Sequence, residues 1–233
     1  MQNKLNLGAL LVLLAAYGCA APSGITGAID IGASPIASAA ISGSSLPNGK
    51  PMPDSNIAAP LPIGFVSFCM RFPDQCELAK NAPPTVTLAP AQWLALQEIN
   101  EAVNRAIKPM DDLKHYGRVE YWNIPTDGFG DCEDYALTKR RDLMAAGFPA
   151  SALRIAVVIT WRNERHAVLT VATDRGDYVL DNLTRTIRSW DDTDYQWIER
   201  QDPNNAWGWV SLDKSKNPAL IASAAAGPVS AIH

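Results

Sequence analysis

The run Gly128-Phe129-Gly130-Asp131-Cys132-Glu133-Asp134-Tyr135-Ala136 sets one cysteine where a glycine-punctuated loop turns into a helix. The helical pattern continues through Leu143 and Met144 and stops at Gly147-Phe148-Pro149. Gly just past a helix and Pro soon after are stop signals. Asp131 suits the N-cap, where a carboxylate accepts from the unpaired N–H groups of the first turn. A thiol in that turn feels the positive end of the helix dipole, which lowers its pKa and favours the thiolate. Such a cysteine becomes a nucleophile once a base stands within reach.

The chain has three histidines to supply that base. His233 is the last residue, and His115 lies in the polar stretch Asp111-Asp112-Leu113-Lys114-His115, expected at the surface. His166 opens Ala167-Val168-Leu169-Thr170-Val171-Ala172, an apolar, β-branched run that reads as a strand. The run Leu153 to Thr160 precedes it, and Tyr178-Val179-Leu180-Asp181 follows the turn Asp174-Arg175-Gly176-Asp177. Three short strands with tight connections predict an antiparallel meander. His166 then begins the middle strand and Asp181 ends the next, so the two residues meet at one edge. In the order Cys132, His166, Asp181, the thiol attacks an acyl carbon. The imidazole takes its proton and later gives it to the leaving amine, and the carboxylate fixes the imidazole tautomer. Each residue alone has a plainer reading: a buried thiol, a hydrogen-bonded structural histidine, an Asp-Asn turn. The three local contexts together favour catalysis.

With those residues in hand, the sequence resembles the bacterial transglutaminase-like cysteine peptidases, in particular their periplasmic LapG-like branch. The resemblance spans roughly Gln92 to Asn182. It rests on Glu98-Ile99-Asn100 to Asn104, Asp112 to Trp122, Gly130 to Ala136 with Lys139 and Leu143, His166-Ala167-Val168-Leu169, and Val179-Leu180-Asp181-Asn182. It implies an α+β fold, papain-like in the transglutaminase sense, with helices packed on an antiparallel sheet and the nucleophile at a helix N-terminus. It implies Cys132 as nucleophile, His166 as base and Asp181 as orienting acid, acting through a thioester acyl-enzyme. It also implies calcium, held by Asp131 and Glu133 with Asp134 as a third candidate. The plainer reading of those acids is a helix cap and two answers to the helix dipole. Three carboxylates cannot alone fill a calcium shell of six to eight oxygens. No organic cofactor is implied. Trp122 is a candidate to help the oxyanion, with simple packing as its alternative, and Asn182 is a second candidate to bond the triad. The implied substrate is an exported or cell-surface protein such as an adhesin. The implied regulator is an inner-membrane receptor for cyclic di-GMP.

The elements that must carry these groups are also legible. Residues 1–21 read as an export signal: Lys4, an apolar run from Leu5 to Tyr17, then Gly18-Cys19-Ala20-Ala21. The run is too short to span a membrane. Ala-Tyr-Gly-Cys half-resembles a lipoprotein cleavage site, so Cys19 is either lost with the signal or lipidated. Either outcome is periplasmic, free or tethered. Residues 22–60 are rich in Ala, Ser, Gly and Pro and read as a flexible linker. The peptidase domain is expected over 61–213, and 214–233 is an Ala-rich, frayed tail. Within the domain, Leu88 to Ile107 predicts an amphipathic helix with Leu94, Ile99, Val103 and Ile107 on its apolar face and Pro90 in its first turn. Trp190 to Leu212 is expected to finish the sheet.

Of the remaining cysteines, Cys69 and Cys76 flank Met70-Arg71-Phe72-Pro73-Asp74-Gln75. In one straight helix their Cα atoms would stand about 10 Å apart, too far for a bridge. Pro73 breaks that helix, and an oxidising compartment would let the pair join. Two buried thiols are the alternative. Cys132 is then the odd, reactive cysteine. Lys139-Arg140-Arg141 reads as a solvated helix face. A formal net charge of −4 and a pI near 5.4 leave no nucleic-acid footprint. No phosphate loop and no paired zinc-ligand motif is present. Two function classes stay open. One is an enzyme, either an endopeptidase or a transglutaminase-type acyltransferase with the same triad. The other is a non-catalytic binding module on that scaffold.

Overall fold

The structure is a computed structural model that describes residues 45–53 and 55–213. The expected signal at 1–21, the linker residues 22–44 and the tail 214–233 lie outside the described residues.

The core layer is a six-stranded antiparallel sheet. Its strands are β3 (Leu153–Ile159), β4 (Arg165–Thr173), β5 (Gly176–Leu180), β6 (Arg188–Ser189), β7 (Gln196–Asp202) and β8 (Asn205–Ser211), in the order β6-β5-β4-β3-β7-β8. The meander read from sequence forms the middle of this sheet: Val158 pairs with His166, and Leu169 with Leu180. The hairpin between β4 and β5 closes over Asp174-Arg175, with Gly176 at φ +106°, where an L side chain would be strained. The tryptophan-rich segment supplies β7 and β8, as expected.

Four helices precede or pack on the sheet: α1 (Ile63–Arg71), α2 (Pro90–Ala106), α3 (Asp112–Tyr116) and α4 (Cys132–Ala145). Alternation along the strands sends residues to two faces. Ile155, Val157, Leu169, Val171 and Leu180 join Leu137 and Leu143 of α4 and Phe65 and Phe68 of α1 in one core. Ala156, Val158, Val168 and Val179 form a second cluster with Tyr195, Trp190 and Trp197. Both faces of the middle strands are therefore covered, which is why they read as unbroken apolar runs.

Helix α4 lies between the sheet and α2, and nine of its fourteen residues are buried. That overturns the reading of Lys139-Arg140-Arg141 as a solvated face. Lys139 is 0 % exposed, and Arg140 donates from Nε to the Leu153 carbonyl (3.1 Å) and from Nη1 to the Gln75 carbonyl (2.5 Å). Arg141 alone stays partly open, paired with Asp142 at 2.7 Å. Helix α2 also differs in detail from its expected face. Leu94 is 50 % exposed, whereas Leu96, Asn100 and Val103 are buried. Asn100 and Asn104 turn inward because the loop after β5 presents carbonyls to them. Asn100 donates to Arg185 O (3.4 Å) and Asn104 to Asp181 O (2.8 Å).

The stretch expected to be flexible up to residue 60 is partly folded. Gly49 N donates to Arg175 O, Lys50 O accepts from Asp177 N, and Ser211 N and Ile57 O pair at 2.8 Å. Ala59 N donates to Trp209 O, and Met52 is buried. The folded unit thus begins before Leu61. After α1 ends at Arg71, Pro73 opens a single 3₁₀ turn to Cys76. The turn brings the Cα atoms of Cys69 and Cys76 to 5.6 Å, and the two sulfurs are bonded. No helix among the described residues is long and apolar enough to cross a membrane.

Candidate active site

The loop that leads into Cys132 is fastened at its N-terminal side. A two-residue parallel ladder joins β1 (Lys108–Pro109), at the exit of α2, to β2 (Phe129–Gly130). Lys108 N donates to Gly128 O (2.8 Å), Met110 N to Gly130 O (2.9 Å), and the Tyr135 hydroxyl to Ile107 O (2.6 Å). A Cβ at Gly130 would sit 2.6 Å from an oxygen of Asp134, so only glycine lets the loop pass this close to α4. Cys132 is the first residue of α4 and is a free thiol.

Asp131 stands at the N-cap position, but its side chain makes no capping bond. Its carboxylate instead joins those of Asp112 and Glu133, with one oxygen from each lying within 4.8 Å of the others. Asp112 arrives because Asp111 caps α3 (Leu113 N to Asp111 Oδ1, 2.9 Å) and because Tyr121 N donates to Asp112 Oδ2. Asp112 Oδ1 and Asp131 Oδ1 are buried without a hydrogen-bond partner. Burial, then the charge of Glu133, lifts the Asp131 pKa to about 8, and burial raises Glu133. Buried, mutually close, undersatisfied oxygens are the donor set a hard cation takes. Asp134 lies outside that group, although its Oδ2 is also buried without a hydrogen-bond partner. It accepts from Asn123 N (2.7 Å) and packs under Gly130, and burial lifts it to about 8.

The thiol is held differently from what the helix dipole alone suggests. Crowding around the sulfur, then Glu133, push the Cys132 thiol well above its ordinary value. Its Sγ–H donates to Glu133 Oε2 at 3.0 Å. A backbone interaction with Ala167, the residue after His166, acts in the opposite direction. That contact ties the start of α4 to the start of β4.

On β4, His166 is 6 % exposed, and its Nε2 bonds Asp181 Oδ1 at 2.8 Å. The other ring nitrogen, Nδ1, is left for a second partner. Asp181, one residue past β5, also accepts from Leu183 N on Oδ1 (2.9 Å) and from the Tyr195 hydroxyl on Oδ2. Burial acts to raise its pKa, but the bonds from His166, Leu183 and Tyr195 outweigh burial and hold it below its ordinary value. Lys139, two turns along α4 from Cys132, lies near this carboxylate. Burial drops its pKa to about 7, the charge of Asp181 acts against that drop, and its Nζ has no hydrogen-bond partner.

Trp122 is core. It is buried against Phe65 and Trp209 (ring centroids 6.1 and 6.2 Å), and its Nε1–H donates to Glu120 (3.1 Å). That N–H is spent away from Cys132. The bonds to Asp181 come from His166, Leu183, Tyr195 and Asn104 rather than from Asn182. His115 is not a plain surface residue: its Nε2 pairs with Asp127 at 2.7 Å. Sequence reasoning missed Asp112 and Tyr195. The capping pair Asp111-Asp112 before a short helix was the only local signal for the former, and none existed for the latter. A cavity of about 760 Å³ lies beside the site, lined by Met52, Ile57, Trp190, Tyr195, Trp197 and Leu212 among others. Its lining includes none of Cys132, His166 and Asp181, and it borders the site at Tyr195, which donates to Asp181.

The family profile described as bacterial transglutaminase-like cysteine proteinase matches residues 55–217. Among solved structures, calcium-bound LapG of Legionella pneumophila is 26% identical, with a TM-score of 0.46, over 55% of this chain and 72% of that one. EGTA-treated LapG of the same organism is 27% identical, with a TM-score of 0.46, over 56% and 72%. No match is found among curated proteins.

Proposed function

From the premise that the chain belongs to the bacterial transglutaminase-like cysteine proteinases, and so is a cysteine peptidase, we propose that it is a periplasmic endopeptidase working through Cys132, His166 and Asp181. The observation that carries this reading is the 2.8 Å bond from His166 Nε2 to Asp181, with Cys132, the only free thiol of the described residues, opening the helix that packs on the strand of His166. In this scheme the Cys132 sulfur attacks the scissile carbonyl carbon, and His166, having taken the thiol proton, delivers it to the leaving amine. A thioester remains on Cys132. Water, losing its proton to His166, attacks that thioester and frees the acid product. Asp181 stays ionised throughout and stabilises the imidazolium.

Asp112, Asp131 and Glu133 are the side chains that would hold calcium. Bound there, a divalent cation would neutralise the carboxylates that oppose ionisation of the thiol. A Glu133 carboxylate engaged with the cation would no longer be held to accept from the Cys132 Sγ–H. Asp134, engaged with Asn123, is left out of this ligand set.

The substrate class is a protein exported to the periplasm or the cell surface, an adhesin being the first to try, and an inner-membrane cyclic di-GMP receptor is the proposed regulator. Iodoacetamide labelling of the purified protein, read by mass spectrometry across pH with and without chelator, tests the site. Rapid labelling of Cys132 well below the usual thiol range near pH 8.5, lost on chelation, is the expected result. Labelling that rises only near pH 8.5 in the presence of calcium would remove the triad from this account.

A further inference from the structure

We infer that Tyr195 is a positioning residue of the catalytic constellation, holding Asp181 through its hydroxyl and His166 through its ring. The inference rests on the reading of Cys132, His166 and Asp181 as the triad.

Asp181 has two oxygens with different support. Oδ1 takes bonds from His166 Nε2 (2.8 Å) and Leu183 N (2.9 Å). The side-chain donor to Oδ2 is the Tyr195 hydroxyl. An aspartate carboxylate turns easily about its last torsion, because that rotation is broad and soft. Two donors on one oxygen leave the other free to swing. A donor on each oxygen fixes the plane of the group, and with it the line along which Nε2–H must point. A hydrogen bond to an ionised carboxylate is about twice as strong as a neutral one, so losing it exposes a buried oxygen with nothing to replace the phenol.

The ring does a second task. Tyr195 is 7 % exposed and stands edge-on to the His166 imidazole (centroids 6.1 Å, planes at 61°). Its far side stacks on Trp161 (6.0 Å, planes at 7°), and Trp197 meets it at 6.5 Å. Packed among aromatic rings, the phenol places its hydroxyl on Asp181 Oδ2. Burial and the charge of Asp181 raise its pKa, so it stays a donor throughout the working range. The groups around this pair are His166 from β4 and Lys139 from α4 beside Asp181, with Arg188 and Asp194 acting on Tyr195. None of them donates a hydrogen bond to Oδ2. Tyr195 comes from the connection before β7, so a third chain segment completes the base half of the site.

The test is the rate of Cys132 alkylation by iodoacetamide, at fixed neutral pH with calcium added. It compares the parent chain, Tyr195→Phe, Asp181→Asn and the double variant, each checked for folding by its melting temperature. Tyr195→Phe keeps the ring and removes one oxygen. It is expected to slow alkylation about tenfold with little change in melting temperature. It should also shift the His166 imidazole signals in a histidine NMR titration. In the Asp181→Asn background, Tyr195→Phe should add less than about a twofold effect, because a residue that acts through another has nothing left to act on. An unchanged rate in Tyr195→Phe, or the full tenfold loss repeated in the Asp181→Asn background, overturns the inference. If the parent Cys132 itself labels as an ordinary thiol, the triad reading has failed. A fast parent with an equally fast Tyr195→Phe fails this inference alone.

Discussion

Asp131 and Asp181 are both carboxylates of the candidate site, one beside Cys132 and one bonded to His166, and they are in opposite situations. Asp181 has donors on both oxygens and is held below its ordinary pKa. Asp131 has an oxygen with no partner, shares its space with Asp112 and Glu133, and is lifted to about 8. The His166–Asp181 half of the site is finished by protein groups alone. The Cys132 half concentrates carboxylates around a sulfur that the proposed mechanism needs as a thiolate. The difference teaches where control can enter. A satisfied hydrogen-bond network changes little with its surroundings, whereas an undersatisfied acidic cluster answers to any cation that fits it.

That contrast can be broken or sharpened by experiment. Cys132→Ala is expected to cost at least about a thousandfold in peptide cleavage while leaving calcium-dependent stabilisation intact, since the three carboxylates remain. Loss of that stabilisation in a melting curve would mean the two halves of the cluster are not separable. Asp181→Asn should lower cleavage by about a hundredfold or more, and added calcium should not restore it. Recovery with calcium would erase the distinction between the halves. Asp112→Ala should weaken calcium binding about ten- to a hundredfold, read by calorimetry, whereas Asp134→Asn should change it less than about twofold. Equal effects would return Asp134 to the ligand set.

A smaller effect is expected on stability against pH. The fold favours the neutral forms of Asp131 and Asp134, whose pKa values rise from 3.8 to about 8. Their contribution is therefore fully present below pH 3.8 and is lost as pH climbs through about 8. The melting temperature of chelated protein should rise as pH is lowered from 7 to 5, and calcium should flatten that trend. A chelated protein equally stable across the range would contradict the proposed charge crowding. Least of all, Lys139→Met should leave stability unchanged or slightly improved, because a buried ammonium without a hydrogen-bond partner gives way to a thioether of similar length. A large loss of activity in that variant would show that the His166–Asp181 half depends on a cation after all.

Much of this arrangement could be read from local pattern. Hydrophobic runs bounded by turn residues gave the meander, and the meander's antiparallel sense alone put His166 beside Asp181. Pro73 between Cys69 and Cys76 made a bridge possible, and the structure chooses it over two buried thiols. The errors share one cause. Lys139 and Arg140 look solvated because charge on a helix is usually at the surface, yet α4 is covered by the sheet and by α2. Leu94 looked buried for the converse reason. Residues 45–60 looked like a linker because a strip pinned by backbone bonds to Arg175, Asp177, Trp209 and Ser211 needs no hydrophobic period of its own.

The sequence by itself determined the place of Cys132 at the start of α4 and of His166 and Asp181 at one edge of neighbouring strands, and it allowed the pairing of Cys69 with Cys76. Each depends on residues close in sequence or on the fixed geometry of a meander. Only the tertiary structure decided that Asp112 joins Asp131 and Glu133 while Asp134 accepts from Asn123 N, and that Tyr195 closes the bonds of Asp181. Those choices depend on the β1–β2 ladder, the capped start of α3 and the aromatic packing before β7. They are contacts between distant segments, and no periodicity in the sequence encodes them.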